Sequence, residues 1–253
     1  MRGIQITDAV KHLLIINIIM FIGTLAIGGG QLLYDLFALH FPVNNSFKPW
    51  QILTHMFMHG GPSHILFNMF ALWMFGTAVE QVLGTKKFIF FYISAGLGAA
   101  LIMLGTYYFK YYGGLNTLTE AGISQSQIIE TLKSGQYNTQ WTNILGEEKL
   151  QSFLTVFNST MVGASGAIMG VLVAFGMMFP ESKLMLIFLP IPIKAKYFIP
   201  GIIALDLFSA LTGQSIFSPS NTAYMAHIGG ALTGFLIMKY WKNNQFNDRR
   251  WDL

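Results

Sequence analysis

The chain has 253 residues, of which 53% are hydrophobic and only 10% are charged, and its mean hydropathy is +0.51. A soluble domain carries about 25% charged residues, so this composition excludes an ordinary water-soluble protein and predicts a chain that crosses a membrane several times. The net charge of +4 does not indicate a nucleic-acid partner, because the basic residues are spread along the chain. The lack of cysteine excludes disulfides and thiolate chemistry.

Six apolar runs are long enough to cross a bilayer as helices of about 20 residues. We place them at about residues 12–29, 63–83, 87–109, 161–179, 196–213 and 223–241. The first is interpreted as a retained helix and not as a signal peptide, because no clean small-residue cleavage site follows it. The segment Leu184–Pro192 is apolar but short and interrupted by proline, so we expect an extended or interfacial piece there.

The lysines and arginines are distributed unevenly between the predicted loops. If the N-terminus is cytoplasmic, eleven of the fifteen lie on the cytoplasmic side. Only Lys48, Lys110, Lys133 and Lys149 lie outside. Because basic residues are enriched in cytoplasmic loops, the pattern predicts an all-α membrane protein, a bundle of six transmembrane helices with both termini cytoplasmic.

Two of the predicted outer segments are long. Residues 30–62 combine aromatic and apolar residues with prolines, which predicts a structured loop in the membrane interface. Residues 110–160 hold most of the polar residues and predict a small solvated extracytoplasmic insertion, whose role the sequence does not indicate. We otherwise expect a single membrane domain over residues 1–253.

Three predicted helices carry polar side chains at one depth. His64 and Asn68 lie in the first two turns of the second helix, Ser165 at the start of the fourth, and His227 about one turn into the sixth. All three helices run from outside to inside, so a rise of 1.5 Å per residue puts these side chains roughly 5–10 Å below the outer surface. The sequence therefore predicts that a nucleophile, a base and an amide donor meet in one layer.

Small residues are spaced to bring two of these helices together. Gly166 and Gly170 lie four residues apart beside the serine, and Gly230 and Gly234 lie four residues apart beside the histidine. Such pairs let membrane helices approach closely, which a Ser–His hydrogen bond of about 2.6–3.2 Å requires. We therefore predict that these glycines form the contact between the fourth and sixth helices.

The segments that carry these residues resemble the signatures of a known family. The sequences HILFN at 64–68, GASG at 163–166 and AHIGG at 226–230 are similar to the three motifs of the rhomboid intramembrane serine proteases. Trp50 and the spacing of the histidines that follow it also resemble that family's first outer loop. The resemblance covers about residues 47–241, and its specificity comes from three motifs in the right order on the right helices.

This resemblance implies a rhomboid-like bundle and a specific activity. The chain would be a serine endopeptidase that cleaves transmembrane or membrane-adjacent segments of other membrane proteins. Ser165 and His227 would form a catalytic dyad with no acidic third member, and Asn68, His64 and the backbone N–H of Ser165 would form the oxyanion hole. No cofactor, metal or nucleic acid is expected; the partners are substrates and the lipid bilayer. The simplest location is a bacterial cytoplasmic membrane, with the site opening to the extracytoplasmic side.

The sequence departs from the family pattern in three places. Met169 occupies a position, one turn after the serine, where the family usually has an aromatic residue that supports the histidine ring; a thioether packs there less rigidly. Gln51 follows Trp50 where an arginine is common, a change we expect to affect the packing of the loop and not the chemistry. The polar insertion at 110–160 is also longer than the resemblance leads us to expect.

Other interpretations of the same residues stay open. A catalytically silent rhomboid-like protein that binds membrane clients is the main alternative. A small transporter would use Asp206, which we otherwise interpret as a paired structural acid nearer the middle of its helix. His55 and His59 are spaced for a metal but lack a neighbouring glutamate, so we expect them to form structural hydrogen bonds. Asn68 alone is also compatible with interhelical hydrogen bonding, and we expect Glu80 to pair with nearby cations.

Overall fold

The computed structural model describes residues 6–186, 189–214 and 223–244, and most of these are helical. The helices are α1 (Asp8–Ala26), α2 (Gln31–Phe37), α3 (Gln51–Thr54), α4 (Pro62–Ala71), α5 (Thr77–Leu83), α6 (Thr85–Glu120), α7 (Gln125–Lys133), α8 (Trp141–Leu145), α9 (Glu147–Phe157), α10 (Ser165–Met178), α11 (Ala195–Thr212) and α12 (Tyr224–Asn244). The strands are β1 (Leu39–His40), β2 (Thr160–Met161), β3 (Lys183–Leu186) and β4 (Leu189–Lys194).

The six apolar segments predicted from the sequence are all helical. A π-helical turn joins α4 to α5, so that Pro62–Leu83 is one continuous helix of 22 residues. This helix, α1, α6 and α11 are each long and apolar enough to cross a membrane, and α10 is a shorter apolar helix of 14 residues. The chain is an integral membrane protein on this ground, whereas the count of six spans and their orientation stay predictions.

The segment between α10 and α11 is extended, as its length and prolines indicate. Strands β3 and β4 pair antiparallel, with Lys183 opposite Lys194. At the open end of this hairpin, the carboxylate of Glu181 contacts the ammonium groups of Lys194 at 2.6 Å and Lys196 at 2.5 Å. These two cations lower the pKa of Glu181 to about 2. The exposed ion pairs therefore persist through the physiological pH range.

Helices α10 and α12 pack with their backbones in contact. A methyl group added to Gly230 would overlap the carbonyl of Gly166, and one added to Gly234 would lie 2.7 Å from the Cα atom of Gly170. The four glycines that the sequence singles out therefore lie at this contact. No side chain larger than hydrogen fits there without separating the two helices.

Helix α6 packs equally closely against the same pair. A methyl group at Gly98 would overlap the side chain of Thr233, and one at Gly229 would lie 2.8 Å from the carbonyl oxygen of Gly98. On α10, a methyl group at Gly166 would overlap that of Ala99. Three helices thus share one tightly packed centre. The spacing of small residues in the sequence predicts the contact between α10 and α12, but it does not predict that α6 joins them.

The predicted end of the third helix at residue 109 is wrong. Helix α6 runs on to Glu120, and its extension packs with α7, α8 and α9 around a separate hydrophobic core. The buried members of that core are Phe41, Tyr111, Leu115, Leu118, Ile128, Leu132, Trp141, Leu145, Leu150, Phe153, Val156 and Phe157. The prediction failed because apolar residues recur at helical spacing among the polar ones in 110–160. The insertion is therefore a folded helical unit.

This helical unit and the first outer loop are joined to the segment that precedes Ser165. The side chain of Asn44 donates a hydrogen bond of 2.9 Å to the carbonyl oxygen of Phe157. Strand β1 pairs antiparallel with β2, with Leu39 opposite Met161. The chain that enters α10 is therefore held on two sides, which limits the positions available to the serine hydroxyl.

The carboxylate of Glu80 organises the other end of the bundle. It accepts hydrogen bonds from the hydroxyls of Thr7 (2.5 Å) and Thr85 (2.8 Å) and from the backbone N–H groups of Ala9 (2.9 Å) and Val10 (3.0 Å). Contrary to the expectation, Glu80 forms no ion pair with a cation among the described residues. The first-turn N–H groups of a helix lack intrahelical partners and carry partial positive charge, so they solvate a buried carboxylate in place of lysine.

Replacing Glu80 by glutamine should destabilise the protein. The change Glu80→Gln turns one oxygen into an amide N–H₂ that faces donors, so we expect a loss of about 2–3 kcal/mol, the scale of one or two hydrogen bonds to a charged group. Unfolding by SDS titration in mixed micelles measures the loss. The matched control is Glu120→Gln at the exposed end of α6. Equal stabilities of the two variants would contradict the assigned role.

Candidate active site

A chain of three polar side chains links α10, α12 and α11. The Oγ atom of Ser165 lies 2.9 Å from Nε2 of His227, and Nδ1 of His227 lies 2.9 Å from Oδ2 of Asp206. The side chains of His227 and Asp206 are 15% and 8% exposed, so the pair is largely shielded from solvent. With a carboxylate on Nδ1, that nitrogen carries the proton and Nε2 is free to accept one from the serine.

The expected dyad without an acidic third member is therefore wrong for this structure. Asp206 does pair, as expected of a buried acid, and its partner is His227. Helix α11 ends at Thr212, six residues after Asp206, which puts the carboxylate only about 9 Å below that end. His227 lies three residues, or about 4.5 Å, after the start of α12, and its ring meets the carboxylate of Asp206.

Two of the residues expected to form an oxyanion hole, His64 and Ser165, lie beside Gly163. A methyl group added to Gly163 would lie 2.9 Å from Nε2 of His64 and 3.6 Å from Oγ of Ser165. Nδ1 of His64 accepts a hydrogen bond from the N–H of Gly60 at 3.2 Å, which leaves the proton on Nε2, facing the serine. In the part of the chain that is described, the side-chain amide nitrogen of Asn68 is buried and has no hydrogen-bond partner. It is thus an available donor.

The backbone before Ser165 adopts a conformation that requires glycine. Gly163 has φ +121°, a region that side-chain-bearing residues rarely occupy. Its N–H donates a 2.9 Å hydrogen bond to the carbonyl oxygen of His55. Helix α10 begins at Ser165, so the N–H of this residue has no acceptor within the helix and lies at the positive end of the helix dipole.

Gln51 holds the first outer loop together from within. Its side chain is fully buried and donates to the carbonyl oxygens of Asp35 (2.9 Å) and Ser46 (3.0 Å). Its Oε1 atom accepts from the N–H groups of Lys48 (3.0 Å) and His40 (3.3 Å). A neutral amide satisfies both donors and acceptors here, so the departure from arginine shapes the loop and contributes no charge to the site.

The two histidines considered as metal ligands have different surroundings. Nδ1 of His55 hydrogen-bonds the carbonyl oxygen of Gln51 at 3.0 Å, as expected for a structural role. Neither ring nitrogen of His59 has a partner among the described residues, so a hydrogen-bonding role for that ring is wrong. Its ring packs against that of His64, with centroids 5.1 Å apart. Within 6–186, 189–214 and 223–244, no group of three or more potential metal ligands occurs.

A small cavity lies behind the serine. It has a volume of about 10 Å³ and is lined by His55, Gly163 and Ser165, with apolar residues of α6, α10 and α12. This is roughly the space that one water molecule occupies. Because Ser165 is part of this lining, a water held there would lie next to the serine.

A hydroxyl, an imidazole and a carboxylate in hydrogen-bonded sequence are the arrangement of the serine hydrolases, and here it is set among apolar helices. A family model for the Rhomboid domain matches residues 46–128 and 137–243. The match covers most of the sequence, and the chain therefore belongs to the Rhomboid family. The resemblance drawn from the three short motifs is confirmed.

Individual relatives support the same assignment. The mitochondrial presenilin-associated rhomboid-like protein of Rattus norvegicus is 28% identical over 200 residues, which are 77% of this chain and 40% of that protein. Rhomboid protease AarA of Providencia stuartii is 30% identical over 197 residues, 74% of this chain and 54% of that protein. Rhomboid protease GluP of Bacillus subtilis is 40% identical over a shorter stretch of 52 residues. The chain thus spans about two fifths to one half of the first two proteins.

The buried histidines of the first loop make stability depend on pH. Burial lowers the pKa of His55 from 6.5 to about 4, and burial together with the charge of His64 lowers the pKa of His59 to about 4. Between these values the unfolded chain binds more protons than the folded one, so stability falls as pH drops from about 6.5 to about 4. The expected slope is about 1.4 kcal/mol per pH unit for each histidine.

Unfolding measured at pH 7 and at pH 5 tests this expectation. The variant His59→Gln should show a shallower loss of stability on acidification than the wild type. The control His12→Gln changes an exposed histidine near the N-terminal end of α1, away from the first outer loop, and should keep the wild-type slope. An unchanged slope in His59→Gln would contradict the assignment.

Proposed function

We propose that this protein is an intramembrane serine endopeptidase that cleaves transmembrane or membrane-adjacent segments of other membrane proteins. The observation that carries the proposal is the continuous hydrogen-bonded series from Ser165 through His227 to Asp206. Membership of the Rhomboid family and similarity to two proteins named rhomboid proteases support it.

In this proposal each side chain takes part in a defined step of the hydrolysis. Oγ of Ser165 attacks the scissile carbonyl carbon while Nε2 of His227 takes the hydroxyl proton. When the tetrahedral intermediate collapses, the C–N bond breaks and His227 returns that proton to the leaving amine. A water then attacks the acyl-enzyme, with His227 again as the base, and releases Ser165.

The oxyanion of the intermediate has three candidate donors on two helices. The amide of Asn68, Nε2–H of His64 and the backbone N–H of Ser165 would stabilise the negative charge. The amide of Asn68 is buried and has no hydrogen-bond partner among the described residues, and the N–H of Ser165 lies at a helix N-terminus. Neither donor therefore has to break an existing hydrogen bond to act. The cavity behind Ser165 would store the water used for deacylation.

Asp206 acts in this proposal as a positioning residue. It holds the Nδ1–H tautomer of His227 and fixes the plane of the ring, and it stabilises the imidazolium that forms during attack. The position after the serine where the family usually has an aromatic residue is occupied by Met169, which is 6% exposed. The carboxylate thus supplies an orientation that a flexible thioether provides less well.

Substrate access is proposed from the lipid side, past α11. That helix presents Leu207, Phe208 and Leu211 at 43% exposure or more. The loop at about 213–222, which is rich in Ser, Gly and Pro, would cover this path; its residues 215–222 lie outside the described residues. A substrate helix must unwind to expose a carbonyl. The bacterial cytoplasmic membrane and an extracytoplasmic opening stay predictions, because relatives match from both bacteria and mitochondria.

Removal of the nucleophile or of the base should abolish cleavage. In liposomes with a generic transmembrane substrate, we expect Ser165→Ala and His227→Ala each to lose at least 10³-fold in rate, and chelators to have no effect. The matched controls are Ser126→Ala and His12→Ala, which change exposed residues remote from the site. Cleavage that survives Ser165→Ala would refute the hydrolase. If the wild type binds membrane clients but cleaves none of them, the alternative of a catalytically silent rhomboid-like protein would be favoured instead.

Removal of the carboxylate should slow the reaction without unfolding the protein. The variant Asp206→Asn should lower kcat by about 10²–10⁴ with little change in KM, because the ring loses its tautomer and the imidazolium loses its counter-charge. The acidic limb of the pH–rate profile should move to lower pH for the same reason. Asp35→Asn, at an exposed aspartate of α2, is the control. A pH–rate profile of Asp206→Asn that does not shift would indicate that Asp206 has only a structural role.

A further inference from the structure

The helical unit formed by the extension of α6 with α7–α9 carries an open groove that proteolysis does not use. The groove has a volume of about 640 Å³ and lies between α6 and α9. Five of its lining residues carry the argument: Tyr108, Phe109, Lys110, Tyr112 and Lys149. Phe109, Lys110 and Tyr112 are exposed on α6, whereas Tyr111, Leu115 and Leu118 of the same helix lie in the core of the unit.

The groove lies at the level where hydrocarbon gives way to lipid headgroups. From Lys87 to Phe109, α6 rises about 33 Å at 1.5 Å per residue, close to the hydrocarbon thickness of about 30 Å. It is at the membrane face nearest the catalytic serine, since the ring of Phe41, beside β1, packs on Tyr108 at 5.0 Å, and β1 pairs with the strand that precedes Ser165.

One wall of the groove is aromatic and exposed. Phe109 is 84% exposed and Tyr112 is 46% exposed. The rings of Tyr108 and Tyr112 stack with centroids 6.0 Å apart, which gives this wall a fixed shape. Tyrosine and other amphipathic aromatic side chains are enriched at membrane–water boundaries, where one part of the ring contacts acyl chains and the other meets headgroups.

The other feature of the groove is unneutralised positive charge. Within the described residues, neither Lys110 nor Lys149 forms an ion pair; Nζ of Lys149 donates only to the hydroxyl of Thr117, at 3.1 Å. No acidic side chain lines the groove. Glu147 and Glu148 lie in the first turn of α9 but are not part of the lining. Two ammonium groups therefore face one opening beside an aromatic wall.

We propose that this groove binds an anionic glycerophospholipid in the leaflet on the active-site side of the membrane. Lys110 and Lys149 contact the phosphate and headgroup, while Phe109 and Tyr112 pack against the glycerol backbone and the upper acyl chains. A lipid is favoured over an acidic peptide because the exposed aromatic wall lies at bilayer depth and continues the lipid-facing side of α6. This site is independent of the proposed proteolysis.

Native mass spectrometry of the purified full chain tests the proposal with two lipids, phosphatidylglycerol and phosphatidylcholine of identical acyl chains. We expect one phosphatidylglycerol molecule to bind preferentially to the wild type. The double variant Lys110→Gln/Lys149→Gln should bind it about 30-fold more weakly, which is about five- to sixfold for each lysine near a membrane surface. A phosphatidylglycerol with a photoreactive headgroup should cross-link to peptides that contain residues 108–116 and 149–152.

The matched control is Lys48→Gln/Lys133→Gln, which removes the same charge from the same side of the membrane outside the groove. It should keep wild-type lipid affinity and the cross-link. Equal weakening in both double variants, or equal affinity for phosphatidylcholine, would overturn the proposal in favour of a diffuse charge effect. Competition by inorganic phosphate or by an acidic peptide as effective as the lipid would also overturn it. A melting temperature close to the wild-type value confirms that the variants fold.

Discussion

The contact between the backbones of α10 and α12 is the constraint on which the site depends. Gly166 and Gly230 touch with no side chain between them, and Ser165 and His227 are their neighbours on the two helices. Within a bilayer, helix association relies on such close packing, because apolar side chains gain little by leaving lipid. The 2.9 Å between the serine and the imidazole is a consequence of that packing.

Helix α6 connects this centre with the helical unit outside the bundle. Its middle supplies Gly98 and Ala99 to the three-helix contact, and its last turns form the wall on which α9 packs. The chain leaves α9 through β2, which pairs with β1 and leads directly into Ser165. The insertion is therefore part of the scaffold that positions Ser165, and not an appendage to it.

The sequence was sufficient to predict the positions of the apolar helices and the meeting of Ser165 with His227, because apolar runs of spanning length and short motifs can be recognised locally. It was insufficient for Asp206, since which acid meets which histidine depends on how two helices are offset along the bundle. The role of Glu80 was also missed, because its partners are N–H groups that no side-chain pattern shows. The length of α6 was underestimated because a change from apolar to mixed composition resembles the end of a span.

The carboxylate that orients His227 is borne by α11, whereas the serine and the imidazole are borne by α10 and α12. Helix α11 has only 22% of its most apolar window buried, so lipid covers much of it, and it carries Pro200 in its interior. A hydrogen bond tolerates a displacement of only a few tenths of an ångström. A tilt of α11 would therefore break the hydrogen bond between Asp206 and His227 while Ser165 keeps its place on α10.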